Sequence, residues 1–481
     1  MPPGRPRPPD AIRLLEWLLG VLVVVAAGCA KGGEGVGSSQ AGPAGGAASS
    51  SSGKVILFGI DGADWQVIDP LIAAGRMPNL AEVVRNGARG VLRSMEPSAS
   101  PALWTTIATG VSPERHGVRG FVTGEGEAGG GPGGARAAAR HPGDAGVSEA
   151  GPGGIRPVTS AMRRAPAFWN ILDAYEKRSG VVGWLVTWPA EPVHGFIVSS
   201  YLPYVYNWST GRPLKGTIVS GIPHQTFPEG LIEELEPFKV RPADLDASTL
   251  SRFYDPSAVG RLSPLDRECV VGFDWSLACD QTYRRAARHL FKAYPTDLFA
   301  VYFGGVDVAS HRFWKFAHPR EFQGVGTEEA RILGGVIDGY YAYIDEALGE
   351  YLRDLGPEDT LVVLSDHGFK TVHIPEQPAT SGHHRLEGVI ALTGRGVPKG
   401  GRIEGARLVD VLPTVLTLLD LPIARSLEGS VPRGALDDAF LATHGRKRVA
   451  DYGSALPAPA EDTSEVDANV LERLRSLGYI R

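Results

Sequence analysis

The chain has 481 residues, 43% of them hydrophobic with 9 Trp, and a formal net charge of −6. That is enough apolar material to bury a sizeable core, in two or three domains or in one large α/β domain with insertions. The small charge, with no long basic run and no acidic tail, argues against a nucleic-acid partner.

The first 28 residues read as a targeting segment. Arg5, Arg7 and Arg13 give a positive start, and LLEWLLGVLVVVAAG is an apolar stretch interrupted by Glu16 and short for a spanning helix. The junction Ala26-Ala27-Gly28-Cys29 resembles a bacterial lipoprotein signal. It implies a lipid on Cys29, a bacterial membrane anchor, and a body that is extracytoplasmic, in the periplasm or on the cell surface. An ordinary cleaved signal and an uncleaved anchor are the other readings. An oxidising compartment permits a disulfide between the remaining Cys269 and Cys279, although their spacing does not show that they meet. Residues 29–53 are nearly all Gly, Ser and Ala, the composition of a flexible linker.

The folded body is expected over 54–430. VILFGI is a continuous apolar run, as in a strand buried on both faces, and it stops at Asp61-Gly62. Helical segments follow, with Pro78 opening the second and Gly87 closing it. GVLRS is expected to be a strand and ALWTTIATG a helix, with Ser100 near its N-cap. A serine there serves as a cap, but a helix N-terminus also favours an anion. Residues 124–155 are low-complexity and read as a surface insertion. APAFWNILDAYEKRSG then reads as a helix and VVGWLVT as a strand. Residues 200–265, rich in Pro and Tyr, read as a cap. A long helix from Phe273, the strand TDLFAVYFGGVD, a helix through GGVIDGYYAYIDEALGEYLRDLG, the strand TLVVLSD and a late helix at 407–420 complete the body. A tail with a short terminal helix, VLERLRSLGYI, covers 431–481. Apolar strands alternating with helices predict an α/β fold with a largely parallel central sheet, and ligands collect at the carboxyl ends of such strands.

Asp61, Asp307 and Asp366 are read as falling at those ends. Asp307 and His311 stand at i, i+4, so they share a face of a helical turn. Asp366 is followed by His367 and a glycine, and His383-His384 adds further imidazole. Oxygen and nitrogen donors in this mix suit two zinc ions, with manganese as an alternative. Two ions about 4 Å apart can hold the attacking and leaving oxygens of an in-line displacement.

VILFGIDGADW, SPALWTTIATGVSPERHGV, TWPAEPVHGF, LFAVYFGGVDVASHRFWK, LVVLSDHGF, SGHHRLEGVI and LVDVLPTVLTLLDLP occur in that order between residues 54 and 425. As a set they resemble the bacterial type I phosphodiesterase/nucleotide pyrophosphatase family of the alkaline phosphatase superfamily. The resemblance implies an alkaline phosphatase-like α/β domain with a cap-like insertion. It implies one ion on Asp61, Asp366, His367 and Ser100, a second on Asp307, His311 and His384, and Ser100 as nucleophile. It selects His384 over His383. The implied activity is metal-dependent hydrolysis of phosphate esters, foremost diesters, through a covalent phosphoserine. A phosphomonoesterase or a phosphoryl-group transferase acting on envelope components is the enzymatic alternative. A degenerate lipoprotein that only binds a metal or ligand is the non-enzymatic one. His116 is read as structural.

Overall fold

The computed structural model describes residues 53–123, 156–202, 205–206, 216–217, 222–375 and 377–453. The signal segment, the linker up to residue 52, the 124–155 insertion, the terminal VLERLRSLGYI pattern and parts of the 200–265 segment lie outside the described residues. Among the described residues no helix is long and apolar enough to cross a membrane.

The body is built around β1 (Val55–Ile60), in which every residue is buried. A strand with no polar face must be covered on both sides. Its two-residue period sends Ile56, Phe58 and Ile60 into one apolar cluster and Val55 and Leu57 into the other. Each such side chain stabilises the fold by roughly 1.5–3 kcal/mol. The elements that follow are α1 (Trp65–Ala73), α2 (Pro78–Asn86), β2 (Ala88–Arg93), α3 (Ser100–Thr109), α4 (Phe168–Ala174), β3 (Ser179–Val182), β4 (Gly195–Val198) and β5 (Thr226–Phe227). The second half holds α5 (Pro264–Ala293), β6 (Leu298–Phe303), α6 (Gly305–Ala317), α7 (Val336–Leu352), β7 (Thr360–Leu364), β8 (Gly368–Thr371), β9 (Gly382–Arg385), β10 (Glu387–Gly394), β11 (Gly401–Ile403) and α8 (Val411–Leu418).

Nine strands form one sheet in the order β11-β2-β10-β7-β1-β6-β3-β4-β5. The centre from β7 through β4 is parallel, while β10 runs antiparallel to both its neighbours and β5 antiparallel to β4. Helices α1, α2, α5, α6 and α7 cover one face, and α3, α4 and α8 the other. Strands β8 and β9 stand apart as an antiparallel ribbon that pairs Phe369 with His384. The α/β class and the largely parallel centre agree with the sequence.

Several local expectations change. The strand expected at VVGWLVT is Ser179–Val182 instead: Gly183 (φ +74°) and Val186 (φ +60°) turn the chain out of extended geometry. Trp184 is apolar because it packs edge-on against Trp104 and Phe168, not because it pairs in a sheet. Asp307 is not at a strand end. Strand β6 stops at Phe303, and Gly304 and Gly305 open α6, so Asp307 sits in that helix's first turn. The described part of 222–265 supplies β5 and sends Leu231, Leu235, Phe253 and Leu262 into the core. Residues 431–453 continue the body, with Ala435, Leu436 and Tyr452 buried. Cys269 and Cys279 both lie on α5. Ten residues of helix separate them by about 15 Å, beyond the reach of a disulfide, which needs Cα atoms within about 7 Å.

A single helical turn, Pro113–His116, follows α3. His116 is fully buried, and the Val118 amide donates to its Nδ1 (3.2 Å). The ring proton therefore sits on Nε2 and points at Thr106 Oγ1 (3.0 Å), whose own hydroxyl donates to the Ala102 carbonyl (2.9 Å). This is a structural histidine, locked neutral. Burial pushes it down from 6.5 to about 4. Between those values the unfolded chain takes up a proton that the folded chain refuses. The stability this group contributes is therefore complete above pH 6.5 and is lost as the pH falls toward 4, by about 3 kcal/mol at most. Thermal melts from pH 7 to 4 are expected to show a steeper loss of Tm for the parent than for His116→Gln; equal slopes would contradict this reading.

Candidate active site

Asp61 follows β1 directly, its amide donating to Phe303 O (2.9 Å) so that the sheet ladder holds its backbone. Its side chain is buried. Oδ1 accepts from Ser100 Oγ (3.3 Å) and lies 3.2 Å from His367 Nε2. Gly62 turns the chain away at φ +73°. A Cβ at position 62 would lie 2.6 Å from the Phe369 ring and 3.1 Å from Asp307 Cα, so only glycine allows β8 and α6 to close on the strand end.

Ser100 is the first residue of α3, and Ala99 occupies the cap position. The serine hydroxyl caps no amide of that helix; it points at Asp61. The capping alternative is thereby removed, and the hydroxyl faces the acidic cluster.

Asp366 and His367 follow β7 and are completely buried. The Gly62 amide donates to Asp366 Oδ1 (3.3 Å), while Oδ2 has no hydrogen-bond partner. Asp307 and His311 share one face of α6, as their spacing predicts. Asp307 Oδ1 lies 3.3 Å from His311 Nε2, 3.3 Å from His384 Nε2 and 3.7 Å from His367 Nε2, and makes no hydrogen bond. His384 comes in on β9, and its ring stacks on His367 at 3.5 Å. Alternation along β9 puts His383 on the opposite face, paired with Lys370. All six expected ligand side chains and Ser100 thus meet at one place.

The imidazoles are all oriented in the same way. Nδ1 of His311 donates to Gly382 O (2.9 Å), that of His384 to Ser98 O (2.7 Å) and that of His367 to Gly368 O (3.2 Å). Each ring then turns its Nε2 inward, which is how backbone carbonyls orient metal-binding histidines. Nε2 of His311 and Nε2 of His384 face each other at 2.9 Å. With both Nδ1 protons committed outward, that approach sets lone pair against lone pair unless a proton or a metal ion lies between them.

Charge points the same way. Burial and the neighbouring Asp61 charge push Asp366 well above the usual carboxylate range. His367 is raised in spite of its burial, because Asp366 and Asp61 favour its charged form. Asp307 Oδ1, Asp366 Oδ2 and His367 Nε2 are buried without hydrogen bonds, and such atoms are costly unless something satisfies them. Divalent ions fit this donor set. The ligand atoms of Asp61, Asp366 and His367 lie within 4.8 Å of one another, as do those of Asp307, His367 and His384.

Two supporting carboxylates, Asp64 and Asp280, and two aromatics, Trp104 and Tyr302, brace this cluster. Asp64 caps α1 through Gln66 N (2.7 Å) and also accepts from Phe369 N (2.9 Å), tying β1 to the ribbon that carries His384. Asp280 on α5 receives the Gly304 and Gly305 amides (3.2 and 2.9 Å) and Tyr340 Oη (3.0 Å), which fixes the start of α6. Burial pushes Asp280 up to about 7 against those three donors. Trp104 and Tyr302 both donate to Asp61. Trp104 stands four residues after Ser100 on one helical face, and that spacing was its only available hint.

Residues 55–404 match the family described as type I phosphodiesterase/nucleotide pyrophosphatase. Two solved structures of phosphonoacetate hydrolase from Sinorhizobium meliloti 1021 are similar to the chain. The complex with phosphonoformate is 18% identical with a TM-score of 0.37, and the complex with phosphonoacetate 17% identical with a TM-score of 0.36. Each alignment covers 68% of this chain and 58% of that chain, so this protein spans less than two thirds of their length. No curated protein matches the sequence.

Proposed function

The chain belongs to the type I phosphodiesterase/nucleotide pyrophosphatase family, and from that premise we propose that it hydrolyses phosphate esters, diesters foremost, with Ser100 as nucleophile beside two divalent ions. The reading rests on one observation above all. Unpartnered donor atoms of Asp307, Asp366 and His367 converge in the cluster whose Asp61 Oδ1 holds the Ser100 hydroxyl.

Asp61, Asp366 and His367, with Ser100, would hold one ion, and Asp307, His311 and His384 the other; zinc suits these donors, and manganese is the alternative. When bound, such ions supply Lewis acidity, lowering the pKa of a hydroxyl and neutralising phosphoryl oxygens. The chain's own residues do the rest. The start of α3 fixes Ser100 Oγ, and Asp61 Oδ1 accepts its hydrogen bond, so the hydroxyl is oriented before substrate arrives. Oγ gives up its proton to solvent and attacks phosphorus, the P–O bond to the leaving alcohol breaks as that oxygen takes a proton from water, and a phosphoserine carrying the remaining ester group forms on Ser100. Water then cleaves the Oγ–P bond and restores the serine. The carbonyls of Gly382, Ser98 and Gly368 keep the three imidazoles turned inward throughout.

The N-terminal pattern ending at Cys29 supports an extracytoplasmic site of action on a lipid anchor, which places envelope phosphate esters within reach. With the metal-loaded protein, bis-p-nitrophenyl phosphate is expected to turn over faster than p-nitrophenyl phosphate. Faster turnover of the monoester would shift the assignment to a monoesterase, and turnover of neither would remove the hydrolase reading.

A further inference from the structure

We propose that Tyr302 and Trp104 are positioning residues for Asp61: together they saturate one carboxylate oxygen and so commit the other to the ion and to Ser100. The inference rests on the two-ion reading above. Tyr302 Oη donates to Asp61 Oδ2 at 2.5 Å, and Trp104 Nε1 donates to the same oxygen at 3.1 Å. Oδ1 is left facing Ser100 Oγ and His367 Nε2. A carboxylate can bind an ion through one oxygen or both, and it can rotate between the two. Two donors on Oδ2 stop that rotation and leave Oδ1 as the available ligand atom.

The donors come from two different elements, which is why they can act as a brace. Tyr302 is on β6, in parallel register with Gly59 of β1. Trp104 is on α3, one helical turn beyond Ser100. A Cβ at Gly59 would lie 2.7 Å from the indole ring, so the glycine lets Trp104 cross β1 and reach Oδ2. The two rings meet edge to face at 4.9 Å. Trp184 also packs edge to face with Trp104 at 4.9 Å, and its Nε1 donates to the Trp104 carbonyl (3.2 Å). Helix α3 therefore grips Asp61 twice, by Ser100 on Oδ1 and by Trp104 on Oδ2, which ties the nucleophile's position to that of the ligand.

Tyr302→Phe tests this, because it deletes one hydroxyl and keeps the ring. The readout is ion affinity, measured by competition with a chromophoric chelator, together with the Tm of the ion-free protein. Loss of such a partner typically weakens metal binding 10–100-fold. The expected result is one of the two ions bound about 10–100-fold more weakly, with the ion-free Tm within a few degrees of the parent. Trp104→Phe, the second variant, is expected to weaken the same ion while also lowering Tm, since it opens a core cavity. If the parent binds two ions and Tyr302→Phe binds both as tightly, the inference is overturned alone. A parent that binds no divalent ion overturns the two-ion reading, and this inference with it.

Discussion

Ser100→Ala is expected to lower kcat/KM for a phosphodiester by about 10⁴-fold or more, with the ions retained. The hydroxyl is placed against Asp61 Oδ1 and has no helix-capping duty. Its removal leaves Asp61, Asp366 and His367 in position, and they continue to offer a complete set of donors. The side chain is small and its loss opens little space, so folding should be unaffected. Acid quench during turnover should trap the phosphoryl group, still carrying its remaining ester, on the parent at Ser100 and none on the variant. A variant that kept the parent rate would remove Ser100 from the mechanism without touching the metal assignment.

His367→Ala is expected to cost on the order of 10³-fold or more in kcat/KM and at least one bound ion per chain. His367 Nε2 lies 3.2 Å from Asp61 Oδ1, 3.5 Å from Asp366 Oδ2 and 3.7 Å from Asp307 Oδ1. It is the one ring in contact with all three acids among the described residues, and it belongs to both groups of close-set ligand atoms. Without it, a buried carboxylate pair faces itself, and Asp366 already carries the penalty of burial and of Asp61's charge. Circular dichroism of the ion-free variant should confirm that the fold survives. A variant that held both ions and worked at near the parent rate would place the ions elsewhere.

How far the chain could be read from its sequence follows from the physics of each element. Strands β1, β6 and β7 were legible because interior parallel strands are apolar on both faces and leave uninterrupted runs. The same rule misled at Trp184 and Val186, where apolar residues fill a core from outside the sheet. Strand β9 could not be foreseen. Gly-His-His-Arg has no strand character, and the ribbon exists because β8 pairs with it and Asp64 secures β8. His384 was consequently found by motif order, and only the structure explains why it, and not His383, turns inward. Asp307 was placed one element too early because β6 and α6 are separated only by Gly304. The cysteine question was answerable once α5 was known to begin at Pro264 rather than near Phe273.

The supporting residues were hidden for a different reason. Trp104 and Tyr302 sit in apolar runs and are buried, so composition marks them as core. Their single polar atoms carry the role, and an N–H or O–H on an aromatic ring leaves no trace in an apolar pattern. Asp280, in the middle of a long helix, reads as a solvent-facing residue until Gly304, Gly305 and Tyr340 are seen around it.

The number of ions bound per chain tests the two-ion site most directly. Protein stripped with a chelator, titrated with zinc and followed by calorimetry, is expected to take up two ions per chain and to regain diester hydrolysis as they bind. Uptake of one ion or none by folded protein, or full activity in the stripped state, would contradict the two-ion site built from Asp61, Asp307, His311, Asp366, His367 and His384.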